Sequence, residues 1–515
     1  MRKTDQKILD KPKSNKSASK ANSNNRNKKQ KLQSDKNAQN FADMIRDIKD
    51  SFSGVQEFNA RSFSDSKVQL FYISGLCDEQ ALGLLIVEPV QHCISQNKIK
   101  SVDKVVSTAI FEEIADVNTI KDEITSGKAI LAVNNKFYNC GLDKTVDRAI
   151  SEPPTSAVIQ GPRTGFVENI KVNVSQIRRL VKSDHLKSEN IEIGEVTKTR
   201  VNIMYIENII DKKVLKEVKK RINSIKVDGI VDSSFVAQML EPRPTSMFKQ
   251  VGLSEKPDVV VAKLLEGRIA ILVDGSPFVL TVPFVLIEDL QNSDDYYTLH
   301  FRASFLRVVR LLSIIVTVYA TGLYLAVQLH HYKAIPLKFL ITIINATQNL
   351  PLTPLGEMLF VLLLFEVLYE ASLRMPKHLG LALSIVGALI LGDTAVKSGL
   401  ISPPAVMIVA ISGMSMYTIP EQHAQMGLIR LVFTLVGAFL GFYGIILTTI
   451  FFVAYLCDFD NYGSPYLAPL APRIQNDLKD GVMKNDFVYM STRPKSFPNK
   501  NRIRIKRAEG KDAQN

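Results

Sequence analysis

The sequence has no tryptophan and only four cysteines in 515 residues. Cys77, Cys93, Cys140 and Cys457 show no C-x-x-C spacing and no histidine cluster completes a zinc set, which argues against a disulfide framework or a zinc-built domain. All four are expected to be reduced, buried, inert thiols. Catalytic signatures are missing as well: there is no G-x-S-x-G, no H-E-x-x-H and no G-x-x-x-x-G-K-S/T. Gly161-Pro-Arg-Thr-Gly165 lacks the lysine and hydroxyl of a phosphate loop. An enzyme is disfavoured, and no cofactor or metal is expected. Residues 1–40 contain no apolar run, so no signal peptide is read at the start. The N-terminal region is therefore expected never to be exported.

Positive charge collects at the ends. Residues 1–40 hold 12 Lys/Arg against 3 Asp/Glu, and residues 461–515 hold 11 against 5, so the formal charge of +13 belongs to the tails. Nucleic-acid binding needs a basic face built into a fold, and is disfavoured. Basic tails beside a membrane domain fit the cytoplasmic, negatively charged leaflet. Residues 1–40 have almost no large apolar side chains and are predicted to be a disordered basic tail.

From residue 41 the pattern is globular. Phe41, Met44, Ile45 and Ile48 form one helical stripe. A strand is predicted over Val68–Ser74, helices over Asp78–Val87 and Ile120–Thr125, and a hairpin over Lys128–Cys140 turning at Asn134-Asn135. The same order returns further on. Val201–Asp211 aligns with Val68–Asp78, pairing Tyr72 with Tyr205 and placing Asp78 and Asp211 at helix N-caps. A second hairpin, Arg268–Val282, turns at Asp274-Gly275. A duplicated α/β unit follows, over about 65–145 and 198–290. The first cytoplasmic α/β subdomain is placed at 41–150, a Gly/Pro-containing connector at 151–197, and the second subdomain at 198–300. In the connector, Asn173 or Ser175 is expected to cap a helix that exposes Arg178 and Arg179.

A polytopic α-helical membrane domain of about four to six segments is predicted over 305–460, followed by a basic cytoplasmic tail at 461–515. Leu311–Gln328, Leu379–Val396, Ser398–Pro420 and Leu431–Cys457 are long enough to span. The last can be one tilted span or two close segments broken at Gly441 and Gly444. Ala334–Ala346 and Leu355–Leu373 are less certain spans. Two cytoplasmic tails require an even number of crossings.

Glu366 and Glu370, four apart, share one face of Leu355–Leu373, and Glu357 is taken as part of the same acidic stripe. A carboxylate against lipid costs several kcal/mol, so this stripe faces a lumen, is protonated, or pairs with Arg374, Lys377, Lys397 or Arg430. Gly387, Gly392, Ala388 and Ala395 around Asp393 describe a helix that lets other backbones approach closely.

Four motifs in order carry a family likeness: Val158–Glu168, containing Gly161, Pro162, Arg163 and Gly165; Leu265–Phe278; Glu366–Pro376; and Ser384–Pro403. The chain resembles the A subunits of bacterial spore germinant receptors, the GerA family, over roughly 65–460. Gln160 and Asp393 depart from the usual basic residue and glutamine. The resemblance implies a nutrient-sensing receptor subunit in the spore inner membrane. It implies a permease-like B subunit and a lipoprotein C subunit as partners, and homo-oligomerisation through the membrane domain into a nutrient-gated ion channel. Leu389, Ile390 and Leu391, with Gly387, Gly392 and Asp393, are the pore or gate candidates, and Arg163 is expected to organise the connector loop. A non-conducting scaffold is the alternative reading, and a secondary transporter is less favoured because the spans are few.

Overall fold

The computed structural model describes residues 39–63, 68–96, 105–106, 108–143, 160–348, 350–374, 394–486 and 489–504. It divides into two compact units, residues 1–148 with 174–189, and residues 149–173 with 190–515.

The first unit is built on an antiparallel sheet of five strands, β1 (Phe58–Phe63), β2 (Val68–Ile73), β3 (Glu112–Ile114), β4 (Ile130–Val133) and β5 (Lys136–Asn139), in the order β1-β2-β4-β5-β3. Val68–Ile73 and Ile130–Val133 are apolar almost throughout because both faces of the sheet are covered. Leu70 and Leu131 pack under Leu82, Ile86 and Val90 of the helical segment 79–95. Phe71, Ile130 and Ala132 pack under Ile45 and Ile48, and under Ile120 and Ile124 of α1 (Val117–Thr125). The Asp78 carboxylate accepts the backbone N–H groups of Gln80 and Ala81, capping the helix that follows β2. Asn134 and Asn135 both take positive φ, 52° and 61°, which closes the two-residue hairpin.

A second five-stranded sheet repeats this plan. Its strands are β6 (Leu186–Ile193), β7 (Thr199–Ile206), β8 (Gly252–Ser254), β9 (Ile269–Val273) and β10 (Val279–Val282), in the order β6-β7-β9-β10-β8. Each strand takes the place of its counterpart in the first sheet. The register agrees as well: Leu70 faces Leu131, which faces Tyr138, as Ile203 faces Ile271, which faces Leu280. Tyr72 and Tyr205 both lie two residues beyond the first member of that row. The Asp211 carboxylate caps α2 (Lys212–Ser224) through the Lys213 N–H. Helices α3 (Ser233–Leu240) and α4 (Pro257–Leu265) complete the unit's α/β part.

A run of helices follows: α5 (His300–His330), α6 (Leu337–Thr347), α7 (Pro354–Arg374), α8 (Pro403–Met416) and α9 (His423–Cys457). Two of the described helices, His300–His330 and Pro420–Cys457, are long and apolar enough to cross a membrane. The Leu379–Val396 segment lies, up to residue 393, outside the described residues.

α9 is a helical hairpin. Gly441 has φ 60° and ψ −151°, far from helical values. In an unbroken helix Phe433 and Phe452 would stand roughly 28 Å apart, yet their ring centroids are 5.8 Å apart. A Cβ on Gly444 would lie 2.8 Å from the Val436 side chain, across the same reversal. Of the two expected break points, Gly441 makes the turn and Gly444 lets the arms close.

Three readings of the sequence are corrected. Arg178 is buried, not exposed: it donates to Glu57 Oε2 at 2.6 Å, Ser188 Oγ at 2.7 Å and the Leu186 carbonyl at 3.2 Å. Its helix starts at Ile170, before either proposed cap. Cys457 is exposed, whereas Cys77, Cys93 and Cys140 are buried. Burial pushes the Cys77 and Cys140 thiols up to about 12, which keeps them unreactive. The described residues after 460, 461–486 and 489–504, read from their charge as part of a tail, are folded into the second unit. Tyr462 joins the core beneath α2 and α3, and Tyr466, Ala468 and Phe497 are buried.

Candidate functional site

The connection from the second sheet to α5 is short and acidic, passing through Glu288, Asp289, Asp294 and Asp295. Two arginines of α5, Arg307 and Arg310, are three apart and so share a helix face. Arg307 Nε donates to Asp295 Oδ2 at 3.0 Å, and Arg310 forks onto both Asp295 oxygens at 2.7 and 3.0 Å. Arg307 Nη1 also donates to Asp480 Oδ1 at 2.9 Å and to the carbonyls of Asp480 and Gly481. Lys484 Nζ donates to the Asp295 carbonyl at 2.7 Å, and the Tyr296 hydroxyl donates to Asp480 Oδ2 at 2.8 Å. Asp295 and the Arg307 side chain are fully buried. This knot ties the α/β part, the first long helix and the C-terminal segment at one point, in the turn of α5 just before it becomes apolar at Leu311.

Beside the knot is a cavity of about 560 Å³. Its walls come from α4, the 284–297 connection, Arg310, the Tyr417–Glu421 loop between α8 and α9, and Asp480, Met490 and Arg504 of the C-terminal segment. The wall charges are largely matched. Glu288 takes Arg268 at 2.6 Å and Lys263 at 2.9 Å, and Lys249 lies 3.2 Å from Asp289. Burial works against the Glu288 charge, but Arg268 and Lys263 outweigh it and hold the carboxyl at about 2. Glu266 is treated less well. Burial pushes it up to about 7, against the opposing pull of Arg268, 3.9 Å away. Gln422 donates to Asp289 Oδ2, so the start of α9 is also fixed to the α/β part.

The helices pack with polar and small residues inward. A Cβ on Gly437 would meet the Gly322 carbonyl oxygen at 2.2 Å, so α5 and α9 touch backbone to backbone. Thr321 and Thr434 hydroxyls are 2.7 Å apart, and Ser412 Oγ donates to the Thr317 carbonyl at 3.0 Å. Outward, Leu312, Ile315, Leu363, Phe439, Ile446, Ile450 and Phe451 are exposed.

The three acids expected to form one stripe do not share a face, since Glu357 lies about 180° around α7 from Glu366 and is buried while Glu366 and Glu370 are exposed, but each has a partner. Glu357 is buried and accepts the Ser402 N–H at the start of α8. Glu366 is paired with Arg430 at 3.4 Å and Glu370 with Arg374 at 2.9 Å. The structure thus brings Glu366 to Arg430 and leaves Glu370 as an exposed pair along its own helix. Leu389, Ile390, Leu391, Gly387, Gly392 and Asp393 lie outside the described residues. The connector loop docks on the second unit. Gly161, φ 116°, sits against the Tyr297 ring, where a Cβ would come within 2.5 Å, and the Phe166 N–H donates to the Glu255 carbonyl at 2.7 Å. Pro162 and Arg163 are exposed and Gly165 is buried.

These observations describe an α/β part bolted to an apolar helical bundle. The family model of the Bacillus/Clostridium GerA spore germination protein matches residues 39–496. The chain belongs to the GerA spore germination family. It is 32% identical over 486 residues to spore germination protein KA of Bacillus subtilis (strain 168), covering 92% of this chain and 88% of that one. It is 36% identical over 371 residues to the uncharacterized membrane protein YfkQ of the same organism, covering 72% of each. The crystallised N-terminal domain of the A subunit of the Bacillus megaterium spore germinant receptor GerK3 aligns at 29% identity, over 46% of this chain and 92% of that domain, with a TM-score of 0.36.

Asp295, Arg307, Asp480 and Lys484 were not singled out in the sequence. The one available signal was the i, i+3 pair Arg307 and Arg310 at the head of an apolar run. Its acids lie on either side of the helical region, too far away along the chain for spacing to reveal them.

Proposed function

We propose that this chain is the A subunit of a nutrient-sensing spore germinant receptor. It is embedded in the spore inner membrane with both soluble ends in the cytoplasm, and acts with a permease-like B subunit and a lipoprotein C subunit. Copies of the chain assemble through the helical region into a nutrient-gated ion channel. The observation that carries the embedding is the inverted surface of the bundle: Thr317, Thr321, Ser412 and Thr434 are buried while Phe and Leu side chains face outward. In water that arrangement exposes apolar area for no return, whereas in lipid it is the ordinary one. The α9 hairpin supports an even number of crossings, since its two ends, at Gln422 and Asp458, both bond to the α/β part.

The gate is assigned to Leu389, Ile390 and Leu391, with Asp393, Gly387 and Gly392 allowing close approach around an axis. Spores carrying Ala at each of the three apolar positions, with normal protein levels, are expected to germinate without nutrient. Wholly normal dormancy would move the gate elsewhere. The scaffold reading draws on the partnered acids Glu357, Glu366 and Glu370, since carboxylates used to hold helices together are not needed to line a lumen. Gln at Glu366 separates the two: an altered ion selectivity with intact assembly supports a conducting role, and lost assembly supports a structural one.

A further inference from the structure

Helix α2 carries Lys212, Lys213, Lys216 and Lys220 exposed, with Val214, Val218 and Ile222 buried opposite. At roughly 100° per residue these lysines fall within an arc of about 100°. The helix gains nothing from them. Lys212 and Lys213 stand at the positive end of the helix dipole, and Lys212, Lys216 and Lys220 repel one another at i, i+4 spacing. The nearby acids are committed elsewhere: Asp211 caps the Lys213 N–H, and Glu217 holds Arg221 at 3.1 Å. The fold does not require the stripe either. The corresponding segment of the first unit, 79–95, exposes Glu79 and Glu88 and contains no Lys or Arg.

The C-terminal segment extends this basic face. The Lys500 N–H donates to the Ile209 carbonyl at 2.8 Å and Ile210 bridges to Asn499, two residues before α2 begins. Lys500, Arg502 and Ile503 are exposed there. The location is also defined. Ile209 packs on Gly267, where a Cβ would meet its side chain at 3.1 Å. Gly267 adjoins Arg268, which lines the cavity bounded by Arg310 and the Tyr417–Glu421 loop. Arg221, next to Lys220 on α2, stands over the Tyr462 ring at 5.4 Å, five residues beyond the end of α9 at Cys457, which places α2 near the point where the apolar hairpin ends.

We propose that the face formed by Lys212, Lys213, Lys216, Lys220, Lys500 and Arg502 docks on the anionic headgroups of the bilayer that holds the chain's own helices. Clusters of four to eight Lys/Arg beside a membrane helix suit such a surface. The contact would fix the tilt of the α/β part against the membrane. The proposal rests on bilayer embedding and not on ion conduction.

The test uses the full chain in nanodiscs of phosphatidylcholine, with or without phosphatidylglycerol. Asn501→Cys, in a Cys457→Ser background, reports access to a maleimide. Labelling is expected to be at least about fivefold slower in the anionic discs, the factor expected for one surface lysine's contribution. About 0.5 M NaCl, which shortens the screening length to a few Å, is expected to restore the neutral-disc rate. The triple change Lys212→Gln, Lys216→Gln, Lys500→Gln should do the same without lowering the melting temperature. Equal rates in the two discs would overturn the proposal. Slowing seen only when partner subunits are added would overturn it in favour of an acidic protein face. A chain that fails to enter neutral discs would remove the embedding and the proposal with it.

Discussion

Changing Arg307 to Met is the sharpest probe of the junction. Methionine keeps the unbranched apolar stem but deletes the guanidinium. Asp295 would keep Arg310 and lose its bond from Arg307 Nε, while Asp480 would lose its bond from Arg307 Nη1 and keep the Tyr296 hydroxyl. Two carbonyls, those of Asp480 and Gly481, would also lose their donor. Because Asp295 and Arg307 are fully buried, water cannot replace what is lost. Breaking one side of a buried pair costs about 3–5 kcal/mol. At about 2–4 °C per kcal/mol for a unit of this size, the melting temperature in detergent should fall by roughly 6–20 °C. Arg302→Met, at an exposed position of the same helix, is the control and should change it little. A loss no larger than the control's would refute the claim that the knot joins the α/β part, the helices and the C-terminal segment.

Other outcomes follow from the same geometry. Gly437→Ala should separate α5 from α9 and cost a few kcal/mol, read as a lower melting temperature, whereas Gly356→Ala should be nearly neutral. Glu370→Gln breaks an exposed pair and should cost less than about 1 kcal/mol, while Glu357→Ala strands the buried Ser402 N–H and should cost about 1–3 kcal/mol. Glu266 is raised in the folded chain, so the fold binds its proton more tightly than the unfolded chain does. Its contribution to stability should fall as pH rises from about 4.5 to about 7, and Glu266→Gln should flatten that slope. Glu288 is depressed to about 2, so its contribution should persist above about 4.5 and be lost as pH falls toward 2. Melting curves across pH separate the two windows.

What could be read from the sequence follows local physics. Val68–Ile73 and Ile130–Val133 are apolar runs between turn residues, and Asn134-Asn135 and Asp274-Gly275 name their turns. The duplication was visible because strand, cap and hairpin recur together. Edge strands were missed: β1, β3 and β8 are short or polar, since an edge strand has only one neighbour to satisfy. Charge averages misled for residues 461–504, where Lys484 and Arg493 are buried cations with bonded partners and not parts of a solvated tail. Arg178 escaped for a related reason, as its acid, Glu57, comes from a distant part of the chain. The single acidic stripe was a misreading: Glu366 and Glu370, four apart, share an exposed face, but Glu357 is nine residues and about 180° away from Glu366 and is buried, and only the fold shows that Glu366 meets Arg430.

We propose that this GerA-family chain forms a nutrient-gated ion pathway. The most direct test is ion flux from proteoliposomes holding the chain with its B and C partner subunits, before and after addition of the nutrient that germinates the parent spores. The expected result is flux that starts on nutrient addition, is absent without this chain, and becomes nutrient-independent with Ala at Leu389, Ile390 or Leu391. A complex that binds nutrient and restores germination to deleted spores, yet passes no ions in the liposomes, would contradict the channel and leave the scaffold reading.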